Sequence, residues 1–147
     1  MVMKTLTYDD APRDWALCFQ QECPLHETCL RYRVGTMVPA TVVHHDVVLP
    51  SARQGDTCQC FATNTPVVIA RGMKRLFNGM SRWEAEALRK SVMGCFSSRT
   101  HFYRYRDGEY PITPDIQARI ARVFEHFKTG SVPHFDDTTE EYYFPVL

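Results

Sequence analysis

The chain has 147 residues, 44% of them hydrophobic and 23% charged, with 17 Lys and Arg set against 17 Asp and Glu. That length fits a single domain with one core, and that composition excludes a disordered chain and a wholly basic nucleic-acid module. No apolar run approaches the roughly 18 residues of a membrane span, and Asp9, Asp10 and Asp14 stand where a secretory leader needs a cationic start and an apolar stretch, so a soluble cytoplasmic protein is expected.

Residues 1–35 read as an irregular, acidic, cysteine-bearing segment with short helical pieces, one of them around Pro12 to Gln21. Residues 36–70 form the expected β region: Val38, Val42, Val43, Val47 and Val48, then Val67, Val68 and Ile69, make β-branched runs punctuated by Pro39, Pro50, Gly55 and Pro66. His44-His45-Asp46 lies between two valine runs, as a hairpin tip or a buried strand centre.

Residues 81–130 turn helical. Ser81 followed by Glu84 is a capping box, with Trp83, Ala87, Leu88 and Val92 at helical spacing and Gly94 as a stop. Thr113-Pro114-Asp115 is a second start, followed by the apolar stripe of Ile116, Ile120, Val123, Phe124 and Phe127 and closed by Lys128 and Gly130. Between them, residues 98–106 read either as a strand leading to an Asp107-Gly108 hairpin turn or as a helix capped by Ser97 or Ser98 and stopped by Gly108. The helix fits better between two well-signalled helices. Tyr142 to Leu147 are too apolar for a free tail and should pack back on the core. The fold class expected is therefore α+β: an irregular cysteine-rich start, a small β region and a helical C-terminal half within one domain.

Five of the six cysteines fall in two clusters: Cys18, Cys23 and Cys29 in a Cys-x4-Cys-Pro-x4-Cys arrangement, and the pair Cys58 and Cys60. In a reducing compartment clustered cysteines point to metal ligation or redox chemistry rather than structural disulfides. A closed zinc site takes about four soft ligands in a tetrahedron. Three thiolates from the first cluster and one from the second would complete it, with an iron–sulfur cluster as the alternative cofactor. His26, His44 and His45 are candidate substitute ligands. Two other readings stay open: a thiol-based redox protein or enzyme using Cys58/Cys60 or His44/His45, and a metal-free interaction module in which the cysteines are small buried hydrophobes. Cys95 stands alone and reads as a core residue.

Charge is uneven along the chain. Residues 71–106 carry nine cations against Glu84 and Glu86, whereas residues 131–147 carry four carboxylates and no Lys or Arg. A local basic patch attracts phosphate even on a neutral chain, because fields decay within about 10 Å at physiological salt. Within it, the Gly94-Cys95-Phe96-Ser97 turn, the Ser98-Arg99-Thr100 start, the Tyr105-Arg106-Asp107-Gly108 stop and the Thr113-Pro114 start give residues 82–128 a pattern that resembles the helix-turn-helix of phage-repressor-like DNA-binding domains. That resemblance implies base-edge contacts from Ser98, Arg99 and Tyr103 and phosphate contacts from Arg104, Arg106 or Lys90. Taken whole, the cysteine arrangement followed by Leu30-Arg31, the later cysteine pair and the Tyr103-Arg104-Tyr105-Arg106 segment resembles a family of short bacterial proteins of unknown function. It implies no activity. The function expected is a non-enzymatic protein with a cysteine-ligated structural metal and a basic helical surface for DNA or a protein partner.

Overall fold

The computed structural model describes residues 5–147; residues 1–4, where the stretch read for a leader begins, lie outside the described residues. The architecture is mixed α+β, with four α-helices and two two-stranded sheets among the described residues. The chain divides into two compact units. One contains the residues up to Val67 together with Tyr142–Leu147, and the other is Val68–Glu141.

The first unit packs Leu6, Trp15, Leu17, Leu30, Val34 and Ala62 into a core, with Tyr142 and Phe144 against it. As expected from its apolar character, the last segment folds back: Phe144 meets Trp15 edge-on at 5.0 Å, although Val146 and Leu147 remain exposed. Helix α1 (Leu30–Gly35) buries Leu30 and Val34. Six residues are too few to hold a helix alone, so its neighbours fix it, beginning with Leu30 N–H donating to the Ala62 carbonyl at 2.6 Å.

No helix forms between Pro12 and Gln21. Instead Leu17 N–H donates to Asp46 O at 3.0 Å, Val48 N–H donates to Leu17 O at 2.7 Å, and Cys18 N–H donates to Arg31 O at 3.2 Å. These pairings hold Leu17 and Cys18 extended, and the helical pieces of this segment are 3-10 turns at Tyr8–Asp10 and His26–Thr28. The valine run is also mostly irregular. A turn in which Val42 N–H donates to Pro39 O interrupts it, and only Val47 bridges another segment, at Leu17. Val48 is buried while Val43, Val47 and Leu49 are exposed. His44-His45-Asp46 is consequently neither a hairpin tip nor a strand centre but an open loop, with His45 edge-on to Tyr8. Regular pairing in this unit is confined to the antiparallel hairpin of β1 (Arg53–Gln54) and β2 (Thr57–Cys58).

Strand β3 (Val67–Arg71), which belongs to the second unit from Val68 onward, pairs with β4 (Asp137–Glu141). Helix α2 (Arg82–Met93) starts at the expected capping box, in which Glu84 N–H donates to Ser81 Oγ and the Glu84 carboxylate accepts from Ser81 N–H. Helix α3 (Arg99–Arg106) is capped by Ser98, which accepts from His101 N–H at 3.1 Å, and Gly108 beyond it is left-handed at φ +83°. This decides the two readings of residues 98–106 in favour of helix. Helix α4 (Pro114–His126) begins at Thr113 and Pro114 and ends where Lys128 and Gly130 take positive φ. Leu88, Val92, Phe102, Ile112, Ile120 and Phe124 form the centre of the core. Trp83 is not part of it: the apolar face of α2 is Leu88 and Val92, and Trp83 is 82% exposed.

Candidate functional site

Cys18, Cys23, Cys29, Cys58 and Cys60 all line one cavity of about 20 Å³ in the first unit, room for a single water-sized body. His26, Tyr32 and Arg31 complete much of its wall. His44 and His45, the other candidate ligands, do not line it.

Main-chain bonds from several segments close the wall. Cys18 is tied to Arg31, and Gly35 in α1 packs so closely on it that a Cβ there would sit 2.5 Å from the Cys18 carbonyl oxygen. The loop carrying Cys23 is held by His26, whose main-chain N–H donates to the Cys23 carbonyl at 3.1 Å and whose Nδ1 lies 2.7 Å from the same oxygen, and by Arg53 donating to Glu22 O. Cys58 ends the hairpin, and its carbonyl accepts from Phe61 N–H. All six cysteines are free thiols. Among the described residues no three His, Cys, Asp or Glu side chains are gathered closely enough to coordinate an ion as they stand. The thiols line a wall and do not converge on a point.

Arg31, marked in the sequence only as part of the family resemblance, is a site residue that the sequence did not assign. It is 1% exposed, yet it forms no ion pair with a carboxylate among the described residues. Its guanidinium donates to three main-chain carbonyls, Cys60 O at 2.6 Å, Ala16 O at 2.7 Å and Pro145 O at 3.0 Å, and its carbon lies 4.3 Å from the centre of the Trp15 ring. Burial pulls its pKa down, and the groups acting in the opposite direction are Cys60, Cys29, Cys58 and Cys18. A buried cation is costly unless opposite charge or hydrogen bonds compensate it. Here carbonyl dipoles do part of this, and the ionisable neighbours are thiols. For Cys18, burial pushes the thiol pKa up, and neighbouring Cys29, Cys23 and Cys58 add to that because thiolates repel one another.

The residues expected to contact nucleic acid are only partly gathered. Lys90, Arg99 and Tyr103 share a groove between α2 and α3, and Arg106 lies beside Tyr103 in an adjoining hollow. The Ser98 hydroxyl is engaged in capping α3, and Arg104 is drawn to Tyr110, donating to its hydroxyl at 2.6 Å. Arg82, Arg89 and Lys74 also line these hollows. The signal for Arg82 and Arg89 was available, since they sit at i and i+7 on α2 with Glu86 and Lys90. Cys95, part-buried in the same unit, has its thiol pKa raised by burial, as a core-packed thiol should.

A family model of unknown function, DUF6078, matches residues 1–144. The chain belongs to that family. No curated protein and no solved structure matches it. The expected family of uncharacterised proteins is thus found, whereas nothing in these comparisons supports the helix-turn-helix resemblance of residues 82–128. In this DUF6078 chain no described helix is long and apolar enough to cross a membrane.

Proposed function

We propose that the first unit holds a single soft metal ion, zinc by its thiol chemistry, as a structural centre ligated by four of Cys18, Cys23, Cys29, Cys58 and Cys60, and that the protein is not an enzyme. The observation that carries this reading is that five thiols, from both cysteine clusters, line one ion-sized cavity beside a buried arginine that has no carboxylate partner among the described residues. Four thiolates and a divalent cation leave a net charge of about −2. Arg31 would offset half of it. The cation would also offset the burial and the thiolate repulsion that raise the Cys18 pKa. Binding requires four of the side chains to move inward from the wall, which couples metal uptake to local rearrangement.

The test is elemental analysis of untagged, chelator-free protein with a visible spectrum, followed by thiol titration. About one zinc per chain, lost when Cys23→Ser and Cys29→Ser are combined so that only three candidate thiols remain, supports the reading. Brown, iron-containing protein would replace zinc by an iron–sulfur cluster. Metal-free protein from zinc-supplemented cells, with six readily titrated thiols and no change in melting on adding zinc, would overturn the proposal and leave the cysteines as packing residues.

A further inference from the structure

The groove on the second unit carries an inference independent of the metal site. A hollow of about 570 Å³ lies between α2 and α3, and an adjoining one of about 330 Å³ shares Arg89 and Tyr103 with it, so the two form a continuous furrow. Arg82, Arg89, Lys90, Arg99, Lys74 and Arg106 line it, with Glu86 as the one carboxylate in its walls. Arg106 pairs with Asp107 at 2.9 Å; the other five cations make no ion pair with a described carboxylate. Two carboxylates of the acidic segment that follows α4 are engaged with other groups. Asp136 accepts from the main-chain N–H groups of Lys74 and Arg75, and Glu141 is paired with Arg71.

Aromatic rings are interleaved with these charges. Tyr103 has Arg99 at 5.7 Å and Arg106 at 4.6 Å from its ring centre, and Arg89 lies over Phe77 at 5.6 Å. Rings hold guanidinium planes in place and so pre-organise them for phosphate oxygens. Trp83, 82% exposed, stands one turn from Glu86 and two from Lys90 on α2, although it lines neither hollow itself. An exposed tryptophan contributes nothing to this core. A base-stacking platform beside a basic track is what single-stranded nucleic acid requires.

We propose that this furrow binds single-stranded nucleic acid, its cations, held in place by Tyr103 and Phe77, tracking the phosphates and the exposed Trp83 on the same helix stacking a base. A duplex fits less well. Of the contacts a recognition helix would make, the Ser98 hydroxyl is engaged in capping and Arg104 is held on Tyr110 outside the furrow.

The experiment uses the full chain and a labelled 20-nucleotide mixed-sequence DNA strand, with a hairpin duplex of the same sequence and polyglutamate as competitors, read by anisotropy and by tryptophan emission. Five phosphate contacts predict a log–log salt slope of about −3.5 for a single strand, hence roughly a hundredfold loss between 50 and 200 mM salt. Arg89→Glu with Arg99→Glu should weaken binding at least fiftyfold and flatten the slope, and Trp83→Ala should weaken it about tenfold. Arg104→Glu makes half the charge change outside the furrow and should weaken it less than threefold. These residues are on the surface, and an unchanged circular dichroism melt verifies each variant. The proposal is overturned if no strand binds at 50 mM salt, if the duplex binds more tightly, if polyglutamate displaces the strand at equal charge, or if Arg104→Glu weakens binding as much as the double variant.

Discussion

Replacing Arg31 by methionine tests the architecture of the first unit most directly. The side chain keeps its length and apolar stem but loses its donors to Ala16 O, Cys60 O and Pro145 O and its stack on Trp15. Each hydrogen bond from a charged donor contributes about 1.5–3 kcal/mol, so the gross loss is roughly 4–9 kcal/mol. Methionine in turn avoids the several kcal/mol needed to keep a guanidinium out of water. The net expectation is destabilisation by about 2–4 kcal/mol, which at roughly 3–4 °C per kcal/mol for a chain of this size lowers Tm by about 10 °C. Arg31→Lys should be intermediate, because an ammonium keeps the charge but lacks the planar fork that reaches three carbonyls. Thermal unfolding of metal-free protein followed by circular dichroism measures this. A methionine variant melting within a degree of the wild type would refute the reasoning, since it would mean the three carbonyls do not depend on the buried cation.

Other perturbations probe neighbouring features. Gly35→Ala puts a Cβ 2.5 Å from the Cys18 carbonyl oxygen, main chain that cannot swing aside; a loss of about 1–3 kcal/mol in a denaturant titration is expected, together with weaker zinc retention under chelator competition. Glu141 accepts from Arg71, and that bond holds its carboxyl below the usual carboxylate value. A lowered folded-state pKa stabilises the fold above the unfolded-state value and ceases to do so as pH falls through the folded-state value. Melting temperatures from pH 6 down to pH 3 should therefore drop less steeply in Glu141→Gln than in wild type, and parallel curves would show that the ion pair does not couple to folding.

How much of this was legible in the sequence depended on whether the signal was local. Ser81 with Glu84, Ser98, Thr113-Pro114 and Gly108 are short-range capping and stopping signals, and each appears in the structure where it was read. The valine run between residues 38 and 49 carried an equally strong propensity yet formed no ladder, because strand formation needs a partner and only Leu17 supplies one, at a single bridge. Trp83 fell on the wrong face because the apolar stripe of α2 is narrow, and periodicity alone did not separate it from Leu88 and Val92. The two cysteine clusters, read as parts of one tetrahedral site, share the wall of one cavity without being gathered as ligands. The burial of Arg31 was not legible, since nothing local distinguishes an arginine that will be buried from one that will be solvated.

The carbonyl of Pro145 accepts both from Arg31 and from the Trp15 indole N–H at 2.8 Å. The first unit is therefore split in sequence, its two parts separated by the whole of the second unit. During synthesis the residues up to Val67 leave the ribosome with the guanidinium one acceptor short and the Trp15 ring without its Phe144 partner. Residues 68–141 have their own core and can close first. The cysteine-lined half is thus finished last, although it is made first, and a chain interrupted before Pro145 would leave both donors, Trp15 and Arg31, facing an empty place.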